Sequence, residues 1–210
     1  MATATFQPSG KDTNIRENVP TTNYGSDTDL LMSAGDSAGR IRVPLEFPIV
    51  WGTDIPAGAT LIAATLSLYI YQIVSSAGET IFAYRLTRTD WVELESTWNI
   101  YKTGSNWTAA GGDYTTDDGA SAVVPADPAW MDWDILAQAQ YAQTNTVNVE
   151  ALLRHQTEFQ AGSKYIRFRS NNYTIDLTLR PKLVVTYSLP ATTQGKSAFM
   201  PAKLMRAGVL

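Results

Sequence analysis

The feature that most constrains this chain is alternation. From Arg40 to Phe47, Ile41, Val43, Leu45 and Phe47 occupy every second position, with Arg40, Arg42, Pro44 and Glu46 between them. A period of two puts the two sets on opposite faces of an extended backbone, so the segment predicts a half-buried β-strand. Pro44 has no N–H and predicts an edge position or a bulge there. The same rhythm recurs at Leu66, Leu68 and Ile70, at Phe82, Tyr84 and Leu86, and at Ile166 and Phe168. It returns at Leu183, Val185, Tyr187 and Leu189, and the run from Val147 and Val149 to Leu153 is a further strand. Turn residues punctuate these runs at Pro56-Ala57-Gly58, Ala77-Gly78 and Ala161-Gly162-Ser163. A helix is predicted only from Asp134 to Ala142, with Asp134 as N-cap and Ile135, Leu136 and Ala139 at helical spacing. Many strands and one short helix predict an all-β fold, an antiparallel β-sandwich of jelly-roll type.

Composition narrows the chemistry. The 210 residues contain no cysteine and a single histidine, His155. Thiol catalysis, zinc-thiolate sites and multi-histidine metal centres are thereby excluded. A net charge of −4 argues against a nucleic-acid partner. The longest strongly apolar stretch, from about Leu61 to Val74, is interrupted by Thr65, Ser67 and Gln72 and is too short to span a bilayer as a helix. No membrane association, cofactor or metal is expected. The opening residues lack a basic, then apolar, leader, which predicts synthesis in a cytoplasm without export.

Two segments break the strand rhythm. Trp98 to Pro128 is rich in glycine and predicts a functional loop. Within it Tyr101, Trp107 and Tyr114 are candidates for glycan binding, since aromatic faces suit the C–H surfaces of sugars. Trp98, like Trp91, is assigned to the core. Asp113, Asp117 and Asp118 do not have the spacing of a calcium-binding helix-loop-helix and are read, like Asp27 and Asp29, as solvated acids. Glu93 and Glu95 share a face if the backbone is extended there, but an ordinary solvent face explains them better than glycoside hydrolysis. His155 near Glu158 is read as a surface or capping residue. The second segment is the C-terminus. Residues 191–210 hold Lys196, Lys203 and Arg206 and no acid, with apolar side chains scattered among them. This composition predicts an extended arm, with Phe199, Met200, Leu204, Met205 and Leu210 as assembly anchors. The chain thus divides into an N-terminal segment 1–11, a sandwich 12–189 and an arm 190–210.

The ordered set Asp12-Thr13-Asn14-Ile15-Arg16, Asn23-Tyr24-Gly25, Ile55-Pro56-Ala57-Gly58, Tyr84-Arg85-Leu86-Thr87, Thr97-Trp98-Asn99 and Arg180-Pro181-Lys182-Leu183-Val184-Val185 resembles the DNRLRE-domain family. The resemblance implies a β-sandwich found as an accessory module of large bacterial extracellular proteins and in phage virions, with some members binding polysaccharide. Two functions are therefore expected, neither enzymatic. The first is a phage virion protein, such as a capsid decoration, that is homo-oligomeric and bound to other virion proteins through its arm. The second is a carbohydrate-binding module for polysaccharide or cell-surface glycan, acting outside the cell.

Overall fold

The structure, a computed structural model, describes residues 1–35 and 39–189. The arm anchors Phe199, Met200, Leu204, Met205 and Leu210 lie outside the described residues. In chain order the strands are β1 (Ala2–Phe6), β2 (Lys11–Asp12), β3 (Ile15–Arg16), β4 (Asp29–Ala34), β5 (Arg40–Phe47), β6 (Trp51–Gly52), β7 (Ile55–Pro56) and β8 (Thr60–Val74). There follow β9 (Thr80–Leu86), β10 (Ile100–Lys102), β11 (Ser105–Asn106), β12 (Tyr114–Val123), β13 (Trp130–Asp134), the helix α1 (Leu136–Asn145), β14 (Val149–His155), β15 (Tyr165–Arg169) and β16 (Lys182–Ser188). The antiparallel all-β architecture is the expected one.

Hydrogen bonding runs β1-β16-β8-β15-β4-β5-β14-β9-β12, with β13 also on β8 and with β2 and β3 on β5. One layer of the sandwich is β1, β16, the first part of β8, and β13. The facing layer is β5, β14, β9 and β12. The far halves of β8 and β5 are joined through β15 and β4, so the sheet curls back on itself. Between the layers lies the main core. Ala64, Leu66, Leu68, Met131, Trp133, Leu183 and Val185 meet Val43, Leu45, Phe47, Ile81, Ala83, Ala151 and Leu153.

Four local features differ from the sequence expectation. First, β1 pairs with β16 along its whole length, from Ala2↔Tyr187 to Phe6↔Leu183. The strand scaffold therefore starts at Ala2, not at residue 12. Second, β5 is buried on both faces: Arg42 and Glu46, on its outer side, are 6% and 5% exposed because a later loop covers them. Pro44 still obeys its chemistry. Its carbonyl accepts from Thr13 N–H, and its missing N–H faces the same side, at the gap between β2 and β3. Third, β12 is a strand inside the expected loop. It is the outermost strand of its layer and needs few large apolar residues; Ala120 and Ala122 pack on the core, and its register slips between Thr115 and Ala120. Fourth, α1 begins two residues later than expected, although Asp134 Oδ1 does accept from Leu136 N–H. The helix packs on β8, β12 and β14. Its Gln138 amide donates to the carbonyls of Ala83 and Asp118.

Candidate functional site

After β9 the chain leaves the sheet at Thr87 and returns as β12 at Tyr114. In between it lies across the outer face of β5 and β14, which would otherwise expose Leu152. Ile15, Leu86, Trp91, Trp98, Trp107 and Leu152 form a second apolar cluster beneath it. The buried indoles are also bonded: Trp91 Nε1 donates to Glu150 at 3.0 Å and Trp107 Nε1 to the Thr97 carbonyl at 2.9 Å. Trp98 packs against Arg40 and Arg42, whose guanidinium carbons are 5.1 and 5.2 Å from its ring centre. Gly111 has φ +93°, and a Cβ there would stand 2.7 Å from Trp98 Cη2, so the close return of the loop over Trp98 requires glycine.

This packing leaves an open cleft of about 530 Å³, lined by Thr87, Arg88, Thr108, Ala109, Gly112, Asp113 and Tyr114. Asp113 fixes one wall by accepting from the backbone N–H groups of Thr108 and Ala109, each at 3.0 Å. Arg88 reaches towards Asp113 at 3.6 Å, and its buried Nε has no hydrogen-bond partner. The Arg88 guanidinium rests over the Tyr101 ring at 4.5 Å. Tyr114 stacks on Tyr84 at 5.2 Å, Tyr84 stacks on Phe82 at 5.0 Å, and the Tyr114 hydroxyl accepts from Arg154 Nη1. A fixed aromatic ring, threonine hydroxyls and a partly exposed arginine therefore line one opening.

The three aromatic candidates do not form a single flat platform. Tyr114 lines the cleft. Tyr101 is half-buried and touches the cleft through Arg88. Trp107 is 4% exposed and supports the loop from beneath, tilted 56° against Tyr101. The alternation of β9 predicts a shared face for Phe82 and Tyr84 but does not connect them to Tyr114, and nothing in the sequence singles out Arg88.

The acidic candidates serve the scaffold. Glu93 and Glu95 lie on a turn, not a strand. Glu93 accepts from Asp12 N–H and the Asn171 amide, and Glu95 from Thr103 N–H. Asp118 pairs with Arg85 at 2.6 Å, Asp27 with Arg16, and Asp29 with Arg167. His155 is 1% exposed rather than on the surface, and burial pulls its pKa down to about 4, so the ring is neutral at pH 7. Glu158 is instead gripped by Arg42 through two contacts of 2.9 Å. Beneath Trp91, Glu46 and Glu150 face each other across β5 and β14, with Lys11 Nζ 2.8 Å from Glu46. Burial, then the neighbouring Glu46, pushes the Glu150 pKa up to about 8.

No curated protein matches this sequence. A family model described as carbohydrate-binding module family 96 matches residues 2–187. The match begins with β1 and ends within β16, taking in both layers of the sandwich and the whole loop that builds the cleft. The chain belongs to carbohydrate-binding module family 96.

Proposed function

We propose that the protein is a non-catalytic polysaccharide-binding module that engages its ligand at the cleft between Arg88 and Tyr114. The observation that carries this reading is the convergence there of a fixed tyrosine ring, two threonines and a partly exposed arginine side chain. Sugars present both C–H faces and hydroxyls. A site that offers an aromatic surface beside polar groups can hold both at once. The cleft is open, which suits a stretch of polymer better than a small enclosed molecule. Glu93 and Glu95 are engaged in backbone bonds and do not flank the cleft as a catalytic pair would. Family membership favours this function over virion decoration, a reading that draws in part on the composition of the arm at 190–210. A polysaccharide-binding role has the protein act where glycans are exposed, outside a cell or on a particle that meets one.

Affinity electrophoresis through gels containing plant, algal and bacterial polysaccharides tests the proposal. The wild type is expected to be retarded in at least one gel, and Tyr114→Ala and Arg88→Ala to migrate freely in it. Free migration of the wild type in every gel, or equal retardation of all three proteins, refutes the assignment.

A further inference from the structure

Three segments remote in sequence meet beside β2. Asp12 Oδ2 accepts from the Ser9 hydroxyl at 2.6 Å and from Asn171 N–H at 2.8 Å. Glu93 Oε1 accepts from Asp12 N–H at 2.9 Å and from the Asn171 amide at 3.0 Å. The bonding stops there. Asp12 Oδ1, Asn171 Oδ1 and Thr13 Oγ1 are all buried and have no hydrogen-bond partner. Asp12 is 1% exposed and Thr13 is fully buried. Neither Asp12 nor Glu93 takes part in a salt bridge among the described residues.

Such an arrangement is costly as it stands. A carboxylate taken out of water without a salt bridge loses much of its hydration and gains little in return, and the positive charge of Arg180 acts on Asp12 only from beyond salt-bridge distance. Each unpartnered buried oxygen carries a further penalty. One addition would satisfy the Asp12 and Asn171 oxygens together: a cation that takes oxygen ligands.

We propose that Asp12, Glu93 and Asn171 bind a calcium ion, with the unpartnered Asp12 Oδ1 and Asn171 Oδ1 among its ligands. Calcium accepts six to eight oxygens from carboxylates, amide carbonyls, hydroxyls and water in a flexible geometry. Magnesium demands a stricter octahedron and keeps more of its water, which suits these donors less well. Among the described residues no three acidic or histidine side chains gather at one point. The site therefore depends on two carboxylates completed by neutral oxygens, with Thr13 Oγ1 the nearest further donor in sequence. Half-buried Glu93 provides the approach from solvent. Bound there, the ion ties the N-terminal segment and the Asn171 turn to the turn that carries Glu93, within the same loop that builds the glycan cleft.

The test uses the full chain, stripped with EDTA and dialysed, then titrated with calcium chloride through the range of about 10⁻⁴–10⁻³ M in which extracellular calcium modules bind. Magnesium chloride at equal ionic strength is the control. Calcium is expected to raise Tm by several degrees and to release a saturable calorimetric heat, with a smaller response to magnesium. Glu93→Gln and Asn171→Ala should each weaken calcium binding at least tenfold, and Asp12→Asn should abolish it. Because Asp12 is buried and its substitution puts the fold at risk, the other two substitutions suffice on their own. An unchanged Tm without heat in the wild type overturns the proposal. So does a calcium response that persists undiminished in Glu93→Gln and Asn171→Ala.

Discussion

Gly111→Ala tests whether the loop is held down by the fit of its backbone against Trp98. The glycine has φ +93°, where an L side chain is strained. A left-handed backbone costs an alanine about 1–2 kcal/mol. The new Cβ would also lie 2.7 and 2.8 Å from Trp98 Cη2 and Cζ2 and 3.0 Å from Arg42 Nη1. Trp98 cannot easily swing aside, because it is 4% exposed and packs against both Arg40 and Arg42. Overpacking of this kind costs about 1–3 kcal/mol. The two effects together predict a loss of about 2–5 kcal/mol. The backbone bonds at this residue are at risk as well: Gly111 N–H donates to the Trp98 carbonyl at 2.7 Å, and its own carbonyl accepts from Arg42 at 2.9 Å. Denaturant unfolding followed by tryptophan fluorescence measures the total. Amide hydrogen exchange shows whether the segment from Trp98 to Tyr114 loses protection before the sandwich does. A loss below about 0.5 kcal/mol, the scale of an innocuous surface change, with unaltered exchange in that segment would refute the reasoning.

Other outcomes follow from the same structure. Arg88→Ala should abolish polysaccharide retardation while changing stability by no more than about 0.5 kcal/mol, since its side chain is partly exposed and its ion pairs are long; equal losses of stability and binding would indicate a structural role instead. Trp133→Ala should cost about 3–5 kcal/mol, because a fully buried side chain whose Nε1 donates to the Ile81 carbonyl is removed from the core; urea unfolding reads this directly. Glu150 binds its proton more tightly in the folded protein than in the unfolded chain. Its contribution to stability is therefore complete below its ordinary pKa of 4.5 and declines as pH rises towards about 8. Glu150→Gln should flatten the wild-type fall in Tm between about pH 5 and 8, and parallel Tm profiles for the two proteins would contradict this assignment.

Alternation made the inward faces of β5, β8, β15 and β16 legible, because each has one face on a large core. It was less informative where the second face is covered by something distant. Arg42 and Glu46 look like solvent-facing residues in sequence, and it is the loop from Thr87 to Asp113, with Glu158 on Arg42 and Lys11 on Glu46, that makes them interior. The strand β12 was hidden for the opposite reason. With a single neighbouring strand and two alanines facing inward, it has no apolar rhythm to display. The site was legible residue by residue but not as an arrangement. Tyr114 stands out as an aromatic in a glycine-rich stretch, yet so does Trp107, and only packing distinguishes the cleft wall from the support beneath it. Arg88 has no local signature, because its surroundings come from Tyr101 and Asp113. The turn carrying Glu93 likewise depends on bonds to Asp12 and Asn171, which no spacing rule connects.

The fifteen residues of β8 pair with β16 and β13 in one part and with β15 in the other. The sandwich is consequently not two slabs pressed together but one ribbon folded over, without a seam along which the halves could slide. Tension applied at the loop would pass into this continuous ladder. The body should yield as a unit or not at all.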